Sequence, residues 1–512
     1  MKENLFSRLQ EAKTEAEQIW VITESFLNKL SPELLSVAWA AVIPHWFNPE
    51  VLAALRPELQ SQIAELYSEL LNLPFIEVFP KRGYDIHEVT RKVMLEYLWR
   101  EYQDEFYILS ARAAEYFSNG DKPEIQIEWL YHLAVVDANS HHYELFNLAR
   151  FWTNNFRHSE LESLIGKLLE QVESNRVDMS AMADIYYWAG KVKLLFDKET
   201  EALQHYEQAL EFYRNIGNDI YAAKTLTAIG DVLFHLKRRE EAMQYYEQAF
   251  GLFRETNDAY GEAYILKAIG DLLKLEFDRR EEALQNYEQA LAIYREISYY
   301  DGEAYILKAI GNLLKLLDGR QEEALERYEQ ALVVYREIGN REYEATTLKA
   351  IGDVLLDVKR IDEAVQNYEQ ALGLFHDIGD DYQEAETFRA IAISYSLQNT
   401  GDKLRALEYY HSAIRLYRSI GSRKDEAITL LPLSLLYLEL GKLREYIRIC
   451  CQHYTILKDP EILEEMPFPQ WSKSLIKFSQ QGRIQLALYL LLNVVLFPFV
   501  VILLFLMKFT RW

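Results

Sequence analysis

The chain of 512 residues contains only two cysteines, Cys450 and Cys451, and they are neighbours. A disulfide between adjacent residues is strained, and the pair lacks metal-ligand spacing. Both are expected as reduced structural thiols in a reducing compartment. Positive charge is also scarce: 55 Lys and Arg stand against 79 Asp and Glu, a formal net charge of −24. Such a surface repels phosphate backbones, so nucleic acid is not an expected partner. No G-x-x-x-x-G-K-[ST] occurs, which removes the phosphate cradle and the magnesium hydroxyl of a P-loop. The opening MKENLFSRLQEAKTEAEQIW has no apolar run of the kind a secretory signal needs. His87-Glu88 lacks the second histidine of a zinc protease motif, so His87 reads as a packing or capping residue. His141-His142 has no third ligand nearby and is expected on a polar helix face. Paired acids such as Glu281-Glu282 and Glu322-Glu323 belong to the first turns of expected helices, where they suit the helix dipole. No catalytic residues, cofactor motif or metal set emerge, and a non-enzymatic protein is expected.

What the chain has is repetition. GEAYILKAIG occurs at Gly261–Gly270 and again at Gly302–Gly311. Gly190, Gly230, Gly270, Gly311 and Gly352 lie 40, 40, 41 and 41 residues apart. Behind each glycine follow an alanine, a tyrosine and a second alanine: Ala324, Tyr328 and Ala331 behind Gly311, for example. A sixth unit keeps Ala406, Tyr410 and Ala413 but has Ala392 where the glycine was. A seventh, around Leu430–Leu457, keeps the apolar rhythm and loses the small residues, as a terminal capping unit does. Ala283, Leu284, Tyr287, Ala290, Leu291 and Tyr294 recur at helical spacing and form one apolar stripe. Glycine within a helix costs about 1 kcal/mol relative to alanine. Its return at one phase predicts a neighbour too close for a larger side chain. One helix pair cannot bury its own stripe; stacked pairs can.

This pattern resembles the tetratricopeptide repeat signature. The usual repeat is 34 residues; here the extra residues lie in longer helices and joining segments, and the usual proline near the end of the second helix is absent. The longer form looks like the repeats of kinesin light chain and of many bacterial regulatory proteins. The resemblance covers roughly 179–457. It implies an all-α solenoid, a right-handed superhelix of helix pairs, whose concave groove holds a protein or peptide partner.

Within the first helix of each pair, some residues fall off the packing stripe. Lys267, Lys308 and Lys349 sit three positions before the glycine, with Arg389 at the matching place in the sixth unit. Asp231, Asp271, Asn312 and Asp353 sit one position after it. The two positions are four apart and share a face. Tyr264 and Tyr305 lie one turn earlier. In the resembling family this face lines the groove, where a lysine and an asparagine grip peptide carboxylates. Lys308 with Asn312 matches that pairing; the units with aspartate depart from it. The competing reading is that Lys267–Asp271 and Lys349–Asp353 are ordinary i,i+4 pairs.

Residues 1–120 carry no repeat. Helices are expected around LSPELLSVAWAAVIPHWFNPEVLAAL, with a start at Ser31-Pro32, then a short strand in PFIEVF. A turn at Lys81–Gly83, a second strand at Tyr84–Ile86 and another helix follow. This order suggests a winged-helix unit. YDIHEVTRKVMLEYL and ILSARAAEYF resemble the arm of signal-transduction NTPases of the STAND class, in which a winged helix precedes a repeat array. The sequence holds no G-x-x-x-x-G-K-[ST], so no nucleotide site is carried over. Residues 121–178 are expected as a helical connector.

After residue 457 the texture changes. Residues 458–485 read as a proline-containing linker, and 486–507 is a run of 22 uncharged residues. At about 1.5 Å per residue that run reaches across a bilayer core. Trp471, Lys473 and Lys477 before it, and Lys508, Arg511 and Trp512 after it, read as interface anchors. The expectation is a single-pass C-terminal anchor in a lipid bilayer, with the repeats in the cytoplasm. The resulting functional expectation is a membrane-anchored scaffold that binds proteins. The alternative is a regulatory subunit whose STAND-like arm docks a separately encoded NTPase.

Overall fold

The computed structural model describes residues 2–398 and 400–466. Its backbone contacts divide into two compact units, Met1–Gly261 and Glu262–Trp512.

The N-terminal unit opens with α1 (Lys2–Glu11), α2 (Glu15–Leu27), α3 (Pro32–Val42), α4 (Pro49–Leu55) and α5 (Ile63–Leu70). The starts follow local chemistry. Thr14 and Glu17 form a capping box, and Ser31 and Asn48 cap α3 and α4, each followed by a proline at the first helical position. Strands β1 (Ile76–Phe79) and β2 (Gly83–Ile86) pair antiparallel, and α6 (Glu88–Glu101) follows. Phe47 and Tyr84 exchange backbone hydrogen bonds of 2.7 and 3.0 Å, adding a third short pairing to the hairpin. Gly83 is required there: its φ is +123°, and a Cβ would stand 2.3 Å from Phe47 O. His87 is the residue before α6, without a side-chain capping bond. The unit continues with α7 (Gln103–Phe117), α8 (Pro123–Val136), α9 (Ala138–Asn154) and α10 (His158–Glu173).

Helix pairs then begin. The first two are α11 (Met179–Leu195) with α12 (Glu199–Asn215), and α13 (Asp219–His235) with α14 (Arg239–Glu255). Next come α15 (Ala259–Leu273) with α16 (Arg280–Glu296), α17 (Tyr300–Leu314) with α18 (Gln321–Ile338), and α19 (Arg341–Asp357) with α20 (Ile361–Ile378). The last two are α21 (Asp381–Ser396) with α22 (Thr400–Ser419), and α23 (Arg423–Glu439) with α24 (Leu443–Ile456). A short α25 (Pro460–Glu465) lays Leu463 into the core that Leu430, Leu433, Tyr446 and Ile449 form around the last pair. The all-α repeat fold expected from the sequence is present.

The expected membrane anchor is corrected. Among the described residues no helix is long and apolar enough to cross a membrane. Each repeat helix shows one apolar stripe and otherwise carries charge. Residues 486–507 lie outside the described residues, so the membrane location and the bilayer as a partner are withdrawn.

The histidine pair is also corrected. His141 is not on a polar face but wholly buried on α9. Burial, with His142 beside it, pushes its imidazole down to about 3. His142 shares 2.9 and 3.1 Å hydrogen bonds with Asp184 and Tyr221. In the C-terminal unit, burial likewise pushes His453 down to about 3. Both stay neutral in the folded chain, whereas the unfolded chain takes up these protons below about pH 6.5. Stability is therefore full above that pH and lost as pH falls toward 3. Each histidine is expected to cost its unit about 2 kcal/mol between pH 7 and pH 5. Urea unfolding at the two pH values measures this, and His141→Leu should flatten the acid response of the N-terminal unit. An unchanged response would contradict it.

Candidate functional site

The repeat glycines face a ring. A Cβ built on Gly270, Gly311 or Gly352 would lie 2.6–2.7 Å from the tyrosine of the paired helix, Tyr287, Tyr328 or Tyr368. Gly190 and Gly230 meet Tyr206 and Tyr246 in the same way within the N-terminal unit. The ring closes on the glycine, and its hydroxyl reaches the next residue of the first helix. Tyr246, Tyr287, Tyr328 and Tyr368 donate to Asp231, Asp271, Asn312 and Asp353 at 2.7–2.8 Å. Each of these four side chains therefore holds the tyrosine of its paired helix. In the sixth pair Ala392 stands in the glycine's place, the next residue, Ile393, offers no side-chain acceptor, and Tyr410 bonds Ser396 instead.

The cations three residues before the glycine reach toward the following first helix. Lys267 Nζ lies 3.0 Å from Asp271, over the ring of Tyr264 and 5.1 Å from the ring centre of Tyr305. Lys308 Nζ donates to Thr346 Oγ1 at 2.5 Å and lies 5.3 Å from the ring centre of Tyr343. Lys349 donates to Gln383 at 2.9 Å and stands 3.8 Å from Glu386. Arg389 bonds Glu386 at 2.5 Å and lies over Tyr417, whose hydroxyl donates to the same carboxylate. The row thus joins α15, α17, α19 and α21 side by side. Lys274 and Lys315 belong to it too; they pair with Asp271 and Asp353 at 2.5 and 3.5 Å. The sequence reading passed over these two, although both stand four residues after a repeat glycine. It also passed over Tyr343, Thr346, Gln383 and Glu386, whose partners lie one repeat away.

Lys308 differs from its neighbours. Among the described residues it makes no ion pair; its contacts are a hydroxyl and a ring face. Burial pushes its ammonium down to about 8. Asn312 beside it is exposed, and its Oδ1 is taken by Tyr328, which turns the amide N–H group outward as a donor. Tyr305 is 39% exposed on the same helix. A half-buried cation with an adjacent donor and aromatic faces can hold a carboxylate.

The tetratricopeptide repeat model matches residues 181–255, 221–296, 261–337 and 302–376. These residues are tetratricopeptide repeats. Among solved structures, a STAND ATPase with a tetratricopeptide repeat sensor from Pyrococcus horikoshii is similar. Identity to it is 15%, the match covers 90% of this chain and 68% of that one, and the TM-score is 0.52. The quorum sensor NprR from B. thuringiensis matches at 16% identity over 71% of this chain and 96% of its own, with a TM-score of 0.48. A kinesin light chain structure from Podosopora anserina matches at 15% identity over 38% and 94%, with a TM-score of 0.34. At 15% identity the likeness to the STAND ATPase speaks to fold alone. No curated protein matches the sequence.

Proposed function

We propose that the tetratricopeptide repeats bind a protein or peptide partner through the face built by α17 and α19. In this reading Lys308 holds a partner carboxylate, Asn312 supplies a second donor, and Tyr305 and Tyr343 supply ring surface. The observation that carries the proposal is the ammonium of Lys308, half-buried and in no ion pair among the described residues, with Glu342 acting on it only from a distance. The other cations of the row already face Asp271, Asp353 or Glu386. The protein is a non-enzymatic binder in this reading, because the row offers cations and rings without a nucleophile and base.

Selection of a random peptide library on the full chain tests the proposal. Enrichment of Asp or Glu at one fixed position is expected, and Lys308→Glu should weaken the selected peptides by about 30-fold or more. Equal binding to the Lys308→Glu chain would sink the proposal. A second reading rests on the N-terminal unit, whose helices and hairpin are arranged in the order of a STAND arm. In it the unit docks a separately encoded NTPase. Partner capture that survives Lys308→Glu but is lost when residues 1–120 are removed would favour that reading.

A further inference from the structure

The N-terminal unit contains a cleft of about 1070 Å³ between the hairpin, α6, α8 and α10. Most of the charge lining it is already engaged. Arg91 donates to the carbonyls of Val42, Ile43 and Pro44 at 2.9–3.2 Å and so closes the end of α3. Lys167 donates to Glu170 at 2.8 Å, and His45 bonds Glu128 at 2.8 Å. Arg176 is different. It is 4% exposed, lies over the ring of Phe106, and its Nε has no hydrogen-bond partner among the described residues. Its backbone is held by the close of α10: Asn175 takes a φ of +56°, and Arg176 N–H donates to Gln171 O at 3.0 Å. A buried guanidinium without an acceptor is costly unless a ligand pairs with it. On another wall of the same cleft, Asp85 Oδ1 is buried and equally without a partner. Burial and the nearby Glu77 raise that carboxyl above its usual range.

We propose that this cleft binds a zwitterionic ligand, an amino acid or short peptide, with its carboxylate on Arg176 and its ammonium on Asp85. The guanidinium fork matches a carboxylate. Acidic groups outnumber basic ones around the cleft, which repels a polyanion and leaves a single carboxylate as the anion that fits. Trp46, Phe79 and Trp99 give the walls apolar surface for a side chain.

The test is calorimetric titration of the full chain with glycyl-phenylalanine, its N-acetyl form, its C-terminal amide, and inorganic phosphate. Saturable binding of the free dipeptide is expected below ~10 mM, with at least about tenfold weaker binding of both blocked forms and none of phosphate. Arg176→Met should lose the dipeptide by about tenfold or more. Without ligand it should melt about 2 °C or more above the parent chain, because an unpaired buried charge has been removed. Asp85→Asn is a second variant, at a less buried position, and should weaken the free dipeptide but not the N-acetyl form. No binding of the dipeptide, binding of phosphate alone, equal binding by Arg176→Met, or a lower melting temperature for that variant would each overturn the proposal.

Discussion

Replacing Tyr328 by alanine is expected to cost the C-terminal unit about 3–5 kcal/mol, the largest effect of any single substitution in the repeat face. Tyr328 is wholly buried, lies on Gly311, and ties α18 to α17 through Asn312. Truncation leaves a cavity between two helices whose spacing the ring sets. Tyr328→Phe keeps the ring and loses one hydrogen bond to an exposed amide, so about 1 kcal/mol is expected. Gly311→Val adds bulk where even a Cβ would stand 2.7 Å from the ring, and overpacking of about 1–3 kcal/mol is expected. Gly311→Ala should cost less. Alanine returns about 1 kcal/mol of helix propensity, and the sixth pair carries an alanine, Ala392, at the matching position. Urea unfolding of the four variants measures the order. The account fails if Tyr328→Ala costs no more than Tyr305→Ala, since Tyr305 is partly exposed.

Peptide affinity at the α17–α19 face is expected to fall about tenfold per pH unit above pH 8. Burial holds the folded-state value of Lys308 at about 8, below that of the unfolded chain. A carboxylate ligand binds the ammonium form, so binding is tightest below pH 8 and requires proton uptake above it. Stability without ligand runs the other way. The unfolded chain keeps its proton to higher pH, so the penalty for burying the ammonium is present below about pH 8 and is relieved as pH rises toward 10.5. Lys308→Gln should remove both responses. Lys267→Gln should keep the pH dependence of binding, because Lys267 is paired with Asp271. Titrations of a selected acidic peptide between pH 7 and pH 10 decide it. A pH-independent affinity for the parent chain would count against the assignment to Lys308.

The sequence by itself determined the helix pairs, their period, the close approach at each repeat glycine and the hairpin of the N-terminal unit; that the neighbour at the glycine is the tyrosine ring came from the structure. Each of these rests on local periodicity or turn chemistry: glycine and tyrosine recur at fixed phase, and Gly83 ends a turn between two short apolar segments. Tertiary structure decided which polar residues are committed inside the fold. Asp231, Asp271, Asn312 and Asp353 sit at one repeat phase, on the helix face that Lys308 shares, yet each accepts from a tyrosine of the paired helix. Lys308 reaches Thr346 and Tyr343 of the following repeat, 38 and 35 positions on. His141 looked like a surface histidine and lies in the core. Arg176, which the sequence did not single out, is buried against a cleft whose walls come from five separate segments. Spacing along a helix fixes which face a side chain shares. What that face meets is set by chain segments far away in sequence, and those contacts decide which charge is neutralised and which remains for a partner.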